Sequence, residues 1–272
     1  MMTRVLDLKG ADIGNLELPL IFDTPIRLDI IRKVYANLSS RRYQHQGRYP
    51  AAGEVVSAES RNTGLGMARI ARARGEGFPR AGQAAGVAGV RHGRVAHPPV
   101  SWKTVVKKVN KKEKALGFCS AVAATANKSL IEIRGHKVPN LLHFPLVISN
   151  EIENIQKTSD LEKALLSLNL GPDLTRARTI RRIPSGKSRM RGRSRRTALS
   201  AIIVVANNSP VSRLRNSLSG VDVKTINELS ILDLAPGANP IRLTIYSKNA
   251  IESFNKVKCR YHKIMEVSEP NG

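Results

Sequence analysis

The sequence predicts an α/β protein whose mostly parallel sheet is flanked by helices, with a long extended internal loop that lacks regular structure. Three observations carry this expectation. Short apolar runs rich in β-branched residues alternate with amphipathic segments across residues 130–260, the order that builds a parallel sheet covered on both faces. The chain has 272 residues, 41% of them hydrophobic, enough for one sizeable α/β domain or two small ones. From Arg41 to Val100, in contrast, hydrophobic periodicity stops, and ten of the chain's 20 glycines fall there.

Taken in order, residues 24–39 (TPIRLDIIRKVYANLS) read as a helix. Thr24 is its N-cap, Pro25 occupies the first helical position, and Ile26, Ile30, Ile31, Val34 and Leu38 make one apolar face. KTVVKKVNKKEKALGFCSAVAATA, after Trp102, predicts one long helix, basic at its start and apolar at its end. FPLVIS (144–149) is a buried strand between turn signals. Ser159 and Glu162 pair as a capping box ahead of the helix LEKALLSLNL, which Gly171 and Pro172 stop. AIIVVA (201–206) is a second buried strand. Ser209 and Pro210 then open a helix to about Leu218, ended by Gly220. VDVKTI and IRLTIY are further strands, and a last helix over 248–260 turns Ala250, Ile251, Phe254 and Val257 inward.

The expected division is therefore a globular α/β domain made of 1–40 and 101–272, and an extended segment of 41–100. Compact domains rarely hold structureless loops beyond about 12 to 15 residues. Glycine is costly to order and offers no side chain to pack, so this segment does not build a core of its own.

Charge narrows the partners. Lys+Arg number 45 against 21 Asp+Glu, a formal net charge of +24 with a pI near 10.8. Such a charge repels itself in a compact state unless a polyanion neutralises it, which puts nucleic acid first and an anionic membrane second. No run approaches the roughly 18 apolar residues of a spanning helix, and the longest apolar segment, Ala115 to Ala126, is the size of a buried helix. The N-terminus, MMTRVLDLKGADIGNLELPL, carries acids and no unbroken apolar core, so it does not read as a signal peptide. Cys119 and Cys259 lie far apart with no CxxC and suit ordinary thiols of a reducing compartment, a disulfide or redox role being the alternative.

The basic residues fall in three clusters. The insert holds Arg41, Arg42, Arg48, Arg61, Arg69, Arg72, Arg74, Arg80, Arg91 and Arg94, no lysine, and only Glu54, Glu59 and Glu76 as acids. Arginine rather than lysine is informative, because a planar guanidinium grips phosphate with two parallel bonds or stacks on a base. Tyr43, Tyr49 and Phe78 are candidate stacking partners. The plain alternative is a flexible solvated linker, although such linkers favour Ser, Pro, Lys and Glu. A second run, TRARTIRRIPSGKSRMRGRSRR, has ten Arg or Lys from Arg176 to Arg196 and no acid, and includes Lys187, Arg189, Arg191, Arg193, Arg195 and Arg196. Its SGKS is not a phosphate loop, since Arg181 stands where the motif needs glycine. The third is Lys103, Lys107, Lys108, Lys111, Lys112 and Lys114, placed on the first turns of a helix, where cations oppose the dipole. An ordinary solvated helix face is its alternative.

Catalytic signals are missing. His92 and His97 sit in glycine-rich coil without companion ligands, so no metal site is expected. No GxSxG, HExxH or GxGxxG occurs, and no cofactor is expected. Asp222, Glu228 and Asp233 lie near strand ends, where an α/β enzyme keeps catalytic acids, but such acids are more often caps and surface charge.

Five segments in order carry a resemblance: SAESRNTGLGMARIARARGEG, RHGRVAHPP, KKVNKKEKALGFCSAVAATA, GKSRMRGRSRR ahead of a hydrophobic strand, and ELSILDLAPGANPIRLTIYS. Together they resemble large-subunit ribosomal protein four in its archaeal and eukaryotic form, from about Pro25 to Phe254. The resemblance implies no enzyme but an α/β domain on the ribosome's outer surface, in the cytoplasm, and a loop threading into large-subunit ribosomal RNA and aiding its assembly. His92 joins the arginines and lysines above as an RNA contact. Neighbouring ribosomal proteins and, transiently, the nascent peptide are implied partners, and a membrane is not. The loop tip in the wall of the nascent-peptide exit tunnel would be Arg69, Ala71, Arg72, Arg74, Gly75, Gly77 and Phe78. Ala71 departs from the family pattern, which often has proline there, and the lack of a long basic tail after Gly272 favours the archaeal branch. A general basic RNA- or DNA-binding chaperone without ribosomal specificity is the rival reading.

Overall fold

The computed structural model describes residues 2–139, 143–192, 196–239 and 241–256. Its elements are β1 (Met2–Leu6), β2 (Asp12–Glu17), α1 (Leu28–Ser39), β3 (Ala58–Ser60), β4 (Ala71–Ala73), α2 (Lys111–Ala124), α3 (Lys128–Ile133), β5 (Leu146–Ile148) and α4 (Thr158–Ser167). They continue with α5 (Gly171–Thr179), β6 (Arg181–Arg182), α6 (Lys187–Met190), β7 (Arg196–Thr197), β8 (Ile202–Val205), β9 (Asp222–Thr225), α7 (Ile231–Leu234), β10 (Thr244–Ser247) and α8 (Lys248–Lys256). By contact the chain divides into two units, Met1–Ser39 with Lys108–Gly272, and Ser40–Lys107.

The first unit is organised by a six-stranded sheet in the order β2-β1-β5-β10-β8-β9. Every pairing is parallel except the β1–β2 hairpin at one edge. The central strands are continuous apolar runs because helices cover both faces. Their side chains alternate between two cores: Val147, Ile202, Val204 and Tyr246 join one, while Leu146, Ile148, Ile203, Val205 and Ile245 join the other. The first core is closed by Ile31, Val34 and Leu38 of α1, the apolar end of α2, and Ala250, Ile251 and Phe254 of α8. The second is closed by Ile131 of α3, Leu161 and Leu165 of α4, and Leu174 of α5. Each fully buried aliphatic chain contributes about 1.5–3 kcal/mol.

Several boundaries differ from the sequence expectation. The first helix begins at Leu28 rather than after Thr24, and Ile26 is exposed, so Pro25 precedes the helix. Residues 103–110 are not helical, and α2 starts at Lys111. Of the valines there, Val109 packs against the first core while Val106 is exposed, so the segment buries a single contact rather than the continuous apolar face on which helices in proteins depend. The capping box at Ser159 and Glu162 does not form: α4 already starts at Thr158, and the Ser159 hydroxyl faces Asp160. Gly171 and Pro172 open α5 instead of merely stopping its predecessor, consistent with proline's place in a first turn. The segment after Ser209 is a short 3-10 helix, Pro210–Leu214. The final helix is described to Lys256, and Val257 and Cys259 lie outside the described residues. Cys119, expected as an ordinary thiol, is buried and disulfide-bonded.

Buried polar groups tie segments together around the sheet. Arg242, 2% exposed, donates from Nη1 to Asp222 Oδ2 (2.6 Å), from Nε to the Ser200 carbonyl (2.6 Å), and from Nη2 to the Gly220 carbonyl (2.7 Å). Buried Asp173 accepts from Arg176 Nε (2.8 Å), the Ser200 hydroxyl (2.6 Å) and the Lys137 backbone N–H (3.0 Å). Buried charge is tolerated here because every ion is paired and hydrogen-bonded.

Candidate nucleic-acid interface

Not one residue from Arg41 to Leu116 is buried. The unit Ser40–Lys107 is held by backbone hydrogen bonds instead of a core. Where no helix or strand was expected, β3 and β4 form a three-residue antiparallel pair, Ala58 with Ala73 through Ser60 with Ala71. A third segment joins them through a bridge between Arg72 and Ala84, with the Ala73 N–H donating to the Gln83 carbonyl (2.9 Å) and the Ala85 N–H to the Ala71 carbonyl (3.0 Å). Farther out, the Arg48 N–H donates to the Pro99 carbonyl (3.1 Å), and the Lys107 N–H donates to the Ser40 hydroxyl (3.0 Å).

This backbone sorts the arginines. Four serve partly inside the unit. Arg48 Nη2 donates to the Ala52 carbonyl (2.7 Å), Arg72 Nη1 to the Gly82 carbonyl (2.9 Å), Arg94 faces Glu54 (3.5 Å), and Arg74 pairs with Glu59. Arg41, Arg42, Arg61, Arg69, Arg80 and Arg91 are exposed and have no carboxylate partner among the described residues. His92 is exposed beside them at φ +58°. Glycine and alanine between them leave the backbone bare, so a phosphate can reach the guanidinium groups without steric hindrance.

The other two clusters are also solvent-facing. Lys103, Lys107, Lys108 and Lys111 are all exposed, the first three on irregular chain. Lys187, Arg189, Arg191 and Arg196 are exposed on a small excursion in which β6 pairs antiparallel with β7 and α6 lies between them. Arg193 and Arg195 lie outside the described residues. Tyr43, Tyr49 and Phe78 are exposed as stacking requires, and so is Trp102, which sequence reasoning passed over. The signal available for it was a lone large aromatic next to Lys103 in a segment with no apolar periodicity.

The suspected acids prove structural. Asp222 neutralises Arg242, Glu228 faces Arg215 (3.3 Å), and Asp233 completes a capping box with Ser230 at the start of α7. Among the described residues no group of His, Cys, Asp and Glu could hold a metal, and no helix is long and apolar enough to cross a membrane.

A chain with a doubly covered parallel sheet and a core-free arginine-rich insert can be compared directly with known proteins. The profile of the ribosomal protein L4/L1 family matches residues 16–257. The chain belongs to the ribosomal protein L4/L1 family. Members of this family are structural ribosomal proteins rather than enzymes, in keeping with the structural roles of Asp222, Glu228 and Asp233. Among its relatives, the large ribosomal subunit protein uL4 of Sulfolobus acidocaldarius is 40% identical over 248 residues, covering 91% of each chain. The uL4 of Methanosphaera stadtmanae is 40% identical over 249 residues, 92% of this chain and 94% of the relative. That of Pyrobaculum aerophilum is 40% identical over 250 residues, 92% and 87% respectively. The family's archaeal type therefore accounts for this L4/L1 chain along nearly its whole length.

Proposed function

We propose that this chain is a structural constituent of the cytoplasmic large ribosomal subunit, with its α/β domain (1–40 and 101–272) as anchor and residues 41–100 threaded into large-subunit ribosomal RNA. The observation that carries the reading is the run from Arg41 to Leu116 without a buried residue, in which Arg41, Arg42, Arg61, Arg69, Arg80 and Arg91 are exposed and have no carboxylate partner among the described residues. Phosphates supply the partners that the segment lacks, and shape rather than a base code supplies specificity. Lys103 and Lys107 add exposed cations to the same unit, and Lys108, Lys111 and the cations of the α6 excursion offer further exposed positive charge to RNA on the α/β unit. The tip, Arg69 to Phe78, lines the nascent-peptide exit tunnel, meets the growing chain transiently, and the whole protein aids subunit assembly beside neighbouring ribosomal proteins.

Sedimentation of the tagged protein with large subunits, followed by crosslinking to RNA, tests this. The expected result is crosslinks from residues 41–100 to a few defined rRNA segments. Equal binding to duplexes of any origin, with one salt slope for all, would establish a general chaperone instead.

A further inference from the structure

Within the Ser40–Lys107 unit, the three hydrogen-bonded segments enclose a cleft of about 460 Å³, inside the range of sites that hold small organic ligands. Val56, Ser57, Ala73, Ala84 and Ala85 are among its lining residues, with Phe78 and the cations Arg74, Arg80 and Arg91 also lining it. Among the described residues no carboxylate lines it. Arg74 is occupied by Glu59, which leaves Arg80 and Arg91 as the guanidinium groups of the cleft with no carboxylate partner among the described residues. The Phe78 ring is 42% exposed and lies against Gly75, whose φ is +96° and where an added Cβ would come 3.1 Å from ring Cε1. The turn is thus closed by hydrogen bonds from the Ala81 N–H to the Phe78 carbonyl (2.9 Å) and from the Gln83 N–H to the Arg80 carbonyl (3.1 Å), holding the ring and one cation together.

We propose that this cleft takes a single unstacked ribonucleotide, its base against the Phe78 ring and its phosphates on Arg80 and Arg91. The inference rests on the RNA-binding reading above and refines it to one site. An aromatic face beside two free guanidinium groups matches the paired chemistry of a base and its phosphate. A passing peptide would have to bring its own acids and a flat ring together. Base stacking tolerates any base, so the site selects an extruded nucleotide rather than a sequence.

The test uses the full-length protein with two RNA hairpins, one carrying a single bulged 2-aminopurine nucleotide and one with the bulge deleted. The bulged hairpin is expected to bind about tenfold more tightly, with quenched fluorescence. Phe78→Ala should abolish that preference and Phe78→Tyr should keep it. Hydrogen exchange at Ala73 and Ala85 reports whether the hairpin persists in Phe78→Ala. If it does not, Arg91→Gln, at a residue that takes no part in the strand pairing, must reduce the preference instead. Equal binding of both hairpins overturns the cleft while leaving RNA binding intact, and binding of neither overturns both readings. Phe78-dependent capture of a polyglutamate peptide in preference to the bulged hairpin would assign the cleft to a peptide and overturn the proposal.

Discussion

His136 Nδ1 lies 3.2 Å from both carboxylate oxygens of Asp173, with the two side chains almost wholly shielded from solvent. The Leu243 backbone N–H donates to His136 Nε2 (3.3 Å), which places the ring proton on Nδ1 and leaves a neutral imidazole donating to the carboxylate. Burial pushes the imidazole below its ordinary value, against the pull of Asp173. Burial also pushes the Asp173 carboxyl upward, but hydrogen bonds from His136, Arg176 and Ser200 outweigh it and hold the group well below the usual carboxylate range.

Asp173→Ala leaves the half-buried Arg176 and the buried His136 imidazole without their counter-charge. The expected cost is about 3–5 kcal/mol of unfolding free energy, read from urea melts of the full chain. A loss under about 1 kcal/mol, the scale of an exposed pair, would mean that water reaches this site.

Both groups make stability fall with acid. His136 titrates lower in the folded state than its ordinary 6.5, so below about pH 6.5 the unfolded chain binds the extra proton and gains population. Asp173 has a depressed folded value, so its contribution is complete above the ordinary 3.8 and is lost as pH falls through the folded value. Melting temperatures should therefore decline from pH 7 to pH 5 in the native protein, and His136→Gln should flatten that decline.

Gly220 has φ +80°, and an added Cβ would stand 2.4 Å from the Ala198 carbonyl oxygen and 2.9 Å from the Ser200 nitrogen. Its own carbonyl accepts from Arg242. Gly220→Ala should lower stability by at least roughly 1–3 kcal/mol, the usual cost of such strain, measured by calorimetry. An unchanged melting temperature would show that this turn is free to shift.

Replacing Arg41, Arg61, Arg69, Arg80 and Arg91 together with alanine removes exposed cations and no packing. Affinity for a large-subunit rRNA fragment should fall, and the log–log salt slope should flatten by about 0.7 for each lost phosphate contact. Thermal melting should not move. A large drop in melting temperature would place these side chains in internal contacts.

Amide exchange in the protein without RNA should separate the two units. Amides of β8 and β10, inside the sheet and between two cores, are expected to exchange only by extensive unfolding, whereas those of β3 and β4 exchange through local opening. Comparable protection in both would contradict the lack of a core in residues 41–107.

Much of the sheet was legible in advance. FPLVIS, AIIVVA, VDVKTI and IRLTIY all contain strands: FPLVIS and AIIVVA show the near-continuous apolar signature of buried parallel strands, while IRLTIY and the edge strand in VDVKTI were marked by β-branched residues despite their charges. The β1–β2 hairpin was not legible: only Thr3 and Val5 of β1 are buried, and β2 is an almost fully exposed edge. Nor was the β3–β4 pair, since AES and ARA are held by main-chain bonds that depend on no particular side chain. The charged clusters were visible as composition, yet composition does not reveal that Arg74 and Arg94 face acids while Arg80 and Arg91 remain open.

By itself the sequence determined the alternation of strands and helices, the place of the core, and the basic, glycine-rich gap within it, because periodicity and charge are local properties of a chain. Tertiary structure alone decided the fate of individual ions. Arg242 in IRLTIY and Arg176 in TRART look like any other cations; Arg242 became a buried strut because Ser200, Gly220 and Asp222 converge on it from separate segments, while Arg176, half-buried, links Asp173 of its own helix to the distant Leu199 carbonyl. A guanidinium's free energy is set by the dielectric and the acceptors around it, and those exist only once the chain has folded.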